Sequence, residues 1–135
     1  MSLESSIIAL ALASEYVEAI IEDRIRPVSL DPGDGYPNAT VHLIDDGRLH
    51  TMDGATSEGE GRVQIACRGR TFDQAAAARI AVIRALDGID GTQKGYWVSL
   101  FQEDAGDRTG FVEDGDEEPI HRQDVDFVVL WAERP

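Results

Sequence analysis

Residues 71 to 88 carry the signals for both ends of a helix. Thr71 can cap its start, with Gln74 three residues on as in a capping box, and Gly88 stands where a glycine closes a helix. Phe72, Ala76, Ile80 and Ile83 recur at helical spacing on one face, joined by Ala75, Val82 and Leu86, while Arg79 and Arg84 point elsewhere. The run Ala75 to Ala78 favours helix and permits close approach to a neighbouring layer. A helix fixed at the centre of the chain must cover something, and its neighbours in sequence are strands.

On its N-terminal side, Arg62 to Arg68 alternates cleanly, with Val63, Ile65 and Cys67 on one face. Before that, Ala39 to Asp45 predicts a strand with Val41 and Leu43 opposite His42 and Ile44. Asp46-Gly47 is a two-residue hairpin signal leading into Leu49 to Thr56. Gly59 to Gly61 predicts a second turn. On its C-terminal side, Tyr96 to Gln102 predicts a strand, as does a short piece near Thr109 to Val112. The closing strand, Gln123 to Trp131, sets Val125, Phe127, Val129 and Trp131 on one face and Asp124, Asp126, Val128 and Leu130 on the other. Being apolar on both faces near its end, it belongs at the centre of a sheet or under a partner subunit.

The first twenty residues predict one amphipathic helix capped by Ser2, with Leu3, Ile7, Leu10, Val17 and Ile21 inward and Glu4 and Glu15 on its polar side. Pro27 ends it through Arg26. Leu30 to Asn38, with two Gly and two Pro, reads as loop. Helix, three strands, helix, then two or three strands is an α+β order: an antiparallel sheet with two helices packed on one face. At 135 residues the expectation is a single domain spanning 1–135.

Charge narrows function. Twenty-six acidic residues against 12 basic give a net charge of −14. Gripping nucleic acid requires Lys and Arg against phosphates, and an anionic membrane surface requires the same. Both roles are therefore disfavoured. Glu4 stands where an export signal needs bases, and the apolar run Ile7 to Ala13 is short of a membrane span, so a cytoplasmic site of synthesis is expected.

Catalytic constellations are sparse. His42, His50 and His121 lack metal-ligand spacing, although His42 and His50 would face each other across a first hairpin. Cys67 is one cysteine on an apolar strand face and reads as a small core residue. The carboxylates of Asp45-Asp46 and Asp114 to Glu118 fall in turns, where water screens them. The run from Glu113 to Glu118 offers oxygen ligands but not the spacing of a calcium loop. No catalytic residue, cofactor or metal site is assigned, and the reading is of a protein that is not an enzyme.

Several segments together resemble the tail-completion, or tail-terminator, family of tailed phages and prophages. They are Asp23-Arg24-Ile25-Arg26-Pro27 after a Leu/Ala-rich helix, Tyr36-Pro37 before Val41, and Thr51-Met52-Asp53-Gly54. Arg62-Val63-Gln64-Ile65, Thr71-Phe72-Asp73-Gln74-Ala75 and Arg84-Ala85-Leu86-Asp87-Gly88 follow, then Glu103-Asp104 and the closing strand. The resemblance implies a ring of subunits, commonly six, at the head-proximal end of a phage tail. Tail-tube protein would lie on one side, a head-completion or connector protein on the other, and DNA would pass only as cargo. It places the chain in the virion tail.

A ring needs a heterologous contact that closes on itself, which sheet edges and a two-sided apolar strand could supply. Tyr96, Phe127 and Trp131 are expected near it, and part of the acid excess is expected to line the channel, where it would keep DNA mobile. The competing readings are another head–tail connector, a tail-tube component, or an acidic host-directed protein that mimics DNA.

Overall fold

A computed structural model describes residues 2–31, 33–51, 54–103, 111–113 and 119–134. Helix α1 runs Leu3–Leu12 and α2 runs Glu15–Ile20. They are followed by strands β1 (Ile25–Pro27), β2 (Asn38–Asp45), β3 (Arg48–Thr51) and β4 (Gly54–Gly69). Helix α3 (Phe72–Leu86) precedes β5 (Asp90–Gln93), β6 (Tyr96–Gln102), β7 (Phe111–Glu113) and β8 (Ile120–Glu133). The α+β class stands. One sheet carries every strand in the order β1-β2-β4-β8-β6-β5, with β3 added to β4 and β7 to β8.

The two longest strands organise it. β4 and β8 pair antiparallel from Glu58 opposite Ala132 to Gly69 opposite His121. Each is flanked on its free side by two shorter strands laid end to end: β2 and β3 along β4, and β6 and β7 along β8. The closing strand is thus central, as its two apolar faces required. Val125, Phe127 and Val129 are buried on its inner face against Val63, Ile65 and Cys67 of β4. Each such side chain contributes roughly 1.5–3 kcal/mol on burial.

The end-to-end arrangement corrects two turn predictions. Asp46-Gly47 does not fold β3 back onto β2, because both strands run antiparallel to β4 and so continue in one direction. Asp45 Oδ1 accepts from Gly47 N at 2.8 Å and Asp46 Oδ1 from Arg48 N at 3.0 Å, which holds a local kink rather than a reversal. The reversal lies one strand later, where Thr51 pairs with Gly54. Gly59 and Gly61 are likewise not a turn but interior residues of β4. A Cβ on Gly61 would sit 2.2 Å from the Asp45 carbonyl oxygen, and one on Gly59 would sit 2.8 Å from Asp46 O and from Trp131 Nε1. The glycines are there because the kink lies directly on that strand.

The first helix is two. Ser14 takes extended geometry and accepts from Tyr16 N at 3.2 Å, capping α2 and breaking the pattern that had read as continuous. Leu3, Ile7, Leu10, Val17 and Ile21 are all buried nonetheless. Ser2 caps α1, with its Oγ accepting from Ser5 N at 3.1 Å. Residues 25–27, read as the end of the helix, form instead a short strand parallel to β2, the one parallel pairing described. The edge strand β5 is also additional, and its Gln93 carbonyl accepts from Ser6 Oγ at 2.8 Å.

Helix α3 begins and ends as predicted. Thr71 Oγ1 accepts from Gln74 N at 3.1 Å, while Gln74 Oε1 reaches back to Arg70 N. Gly88 follows with φ of +76°. Its buried face differs from expectation: Ala75, Ala78, Ala81, Val82, Ala85 and Leu86 face the sheet, and Phe72 and Ile80 are half exposed. The alanines let the helix axis approach the sheet, and the bulkier Phe72 and Ile80 are displaced to its flank.

Candidate assembly surface

The sheet places the three residues expected at a subunit contact in or beside its own core. Phe127 has no exposed surface and Trp131 keeps 3%. Trp131 donates from Nε1 to Asp46 O at 2.6 Å, meets Tyr96 edge to face at 5.9 Å between ring centres, and carries the Arg48 guanidinium 4.8 Å above its ring. Tyr96 is partly buried against the same cluster. Their burial is accounted for inside the subunit, because the inner face of β8 is the domain's core.

The chemistry-bearing residues are equally local. His42 lies opposite Gln64 and His50 opposite Ala55, so the two histidines are not cross-strand neighbours. His42 Nε2 and Thr40 Oγ1 are 2.9 Å apart, and Arg68 Nη1 donates to the same hydroxyl at 2.9 Å. Burial, then the charges of Arg68 and Arg122, hold His42 below its ordinary pKa, with Asp124 acting the other way. Asp124 itself is buried, gripped by Arg122 through Nε at 2.7 Å and Nη2 at 3.0 Å. Burial pushes the Cys67 thiol up to about 12. Among the described residues no group of three His, Cys, Asp or Glu is placed to hold a metal. The loop 113–118, considered for calcium, lies outside them apart from Glu113. No described helix is long and apolar enough to cross a membrane.

Two outer surfaces do carry exposed apolar side chains. On the helix layer, α2 and α3 leave between them a groove of about 690 Å³ lined by Tyr16, Ala19, Ile20, Ala77 and Ile80, with Glu15 and Arg84 at its borders. Arg84 stands 5.8 Å from the Tyr16 ring centre. On the opposite side, the outer face of the sheet presents Phe101 of β6 beside Val128 of β8 and Arg62 of β4, which share one cross-strand row. The next row holds Ser99, Leu130 and Glu60. Arg62 reaches Glu103 at 2.9 Å. The sequence reading missed both surfaces. It had counted Ile80 as core and had treated Phe101 only as part of a strand. The signal available was the choice between two apolar stripes on α3, of which the alanine-rich one faces the sheet.

Compared with descriptions of protein families and with curated proteins, the chain matches none. Solved structures do match. A chain from a structure described as the virion of a native gene transfer agent particle superposes with a TM-score of 0.69, covering 97% of this chain and 95% of that one at 17% sequence identity. At that identity the likeness is one of fold, and it extends over nearly the whole length of both chains.

Proposed function

We propose that this protein is a structural subunit of a phage-like particle, placed at the head-proximal end of the tail. Copies would form a ring there that terminates the tail and joins it to the head. The observation that carries this reading is the near-complete fold match to a chain of a gene transfer agent virion. The ordered likeness of sequence segments to tail-completion proteins supports it from an independent side. The role is mechanical, with tail-tube and head-completion proteins as neighbours and no substrate.

The charge fits the position. A bore through which DNA travels works best when its wall repels phosphate, and this chain carries 14 more acidic than charged basic residues. Electron microscopy of lysates from the parent phage or prophage lacking this gene tests the reading. Filled heads lying apart from tails, or tails of uncontrolled length, are expected. Normal complete particles would overturn it.

A further inference from the structure

We infer that the α2–α3 groove receives the outer sheet face of a second copy of this chain, with Phe101 as the inserted side chain. The inference rests on the ring reading above and names the contact that builds the ring.

The two surfaces lie on opposite layers of the domain, so they do not overlap, and one subunit can use both at once. Complementary patches at different places on one chain make a heterologous contact, which propagates from copy to copy and closes when the rotation allows. Ile80 in the groove and Phe101 on the sheet are each 47% exposed, and Tyr16 is 46% exposed. That is apolar area left uncovered on both sides of the same molecule. A small molecule is a poorer occupant, because such sites gather convergent polar groups, and among the described residues the charged ones lining this groove are Glu15 and Arg84.

Charge selects a second copy and an orientation. Two chains of net charge −14 repel, so a contact between them must set opposite signs together. The groove is bordered by Arg84 and Glu15, while beside the Phe101 strip Glu58 and Glu60 are exposed and Arg62 is paired with Glu103 of its own subunit at 2.9 Å. Seated with Phe101 between Tyr16 and Ile80, the strip can turn its acidic side, with Glu60, toward Arg84. A seating turned the other way would set Glu60 against Glu15. The contact is therefore directional, as ring closure requires.

Cys67, the chain's single cysteine, is fully buried, so introduced cysteines report on their own. Ile80→Cys and Phe101→Cys are made separately, and a Val28→Cys chain, altered at another exposed position, serves as the control. Mild oxidation of the Ile80→Cys and Phe101→Cys chains mixed together should give at least tenfold more disulfide-linked pairs than either alone, or than Ile80→Cys mixed with the control. A chain carrying both changes should give a ladder of linked copies. Equal yields in all mixtures would overturn the contact, as would Ile80→Cys pairing chiefly with itself, which would mean groove-to-groove packing. The particle test fails separately: defective particles without an 80–101 pair sink this interface alone, and a clear ladder with normal particles sinks the virion role alone.

Discussion

The indole nitrogen of Trp131 donates to the carbonyl oxygen of Asp46 at 2.6 Å, fastening the end of the central strand to the kink between β2 and β3. The two residues are far apart in sequence, and the bond crosses above Gly59, whose missing side chain leaves room for it. Trp131 thus acts as an internal strut.

Trp131→Phe keeps most of the apolar volume and removes the donor. The bond is part-buried and Asp46 is exposed, so water can replace the lost donor; the loss should cost about 0.5–1.5 kcal/mol, and the urea midpoint of the isolated subunit should fall accordingly. Unchanged stability together with lost assembly would instead make Trp131 a contact residue, as its sequence alone had suggested.

The same kink sets the tolerance of the glycines. Gly47 has φ of +60°, and a Cβ there would lie 1.6 Å from the Glu60 carbonyl oxygen. Gly47→Ala therefore meets both left-handed strain and a backbone clash, and should cost about 3 kcal/mol or more. Gly88 has φ of +76° but nothing within 4 Å of a Cβ, so Gly88→Ala should cost only the strain, roughly 1–2 kcal/mol. Thermal melts of the two variants, compared side by side, check the difference; equal losses would show that the close approach at Gly47 does not matter.

How much of this was readable beforehand depends on the range of the interaction that decides each element. Thr71, Gln74 and Gly88 bound α3 through bonds within a few residues, and the alternation over 96–102 and 123–131 records a face buried along a whole strand. Those features were legible. Asp46-Gly47 looks like a hairpin locally, yet its path is set by Gly59 and Gly61 more than ten residues on, which no local pattern records. Ser14 breaks the first helix because α2 then turns onto α3, and Ile80 is exposed because alanines bring α3 close to the sheet. Both are tertiary choices between locally acceptable options. The candidate surface was the least legible part, since an exposed Phe101 and a buried Phe127 look alike as letters in two alternating strands.

Cys67 gives a prediction at high pH. Its thiol is fully buried, with a pKa raised from 9.0 to about 12. A thiol raised in the folded state contributes stability that is complete below its unfolded pKa and is lost as pH climbs toward the folded one. Between pH 9.0 and about 12, stability should fall by up to about 1.4 kcal/mol per pH unit from this group. Subtracting the same curve for Cys67→Ala isolates the effect from tyrosine and lysine ionisation. Native protein should also resist thiol reagents at mildly alkaline pH and react only on unfolding; fast labelling of native chains would contradict the burial.

His42 gives the opposite window. Its pKa is lowered from 6.5, by burial first and then by Arg68 and Arg122, with Asp124 opposing. The unfolded chain therefore takes up this proton before the folded one does, and stability rises with pH through that range and falls as pH drops below 6.5. His42→Gln should flatten the loss between about pH 7 and pH 5, while leaving the neutral-pH value little changed if the Thr40 contact is kept. Proton NMR titration of the His42 ring separates cause from coincidence. Its midpoint should lie below 6.5 in the wild type and move upward in Arg68→Gln, because that change removes a positive charge from its neighbourhood. A midpoint at or above 6.5 in the wild type would mean that Asp124, and not the arginines, dominates the outer face of the sheet.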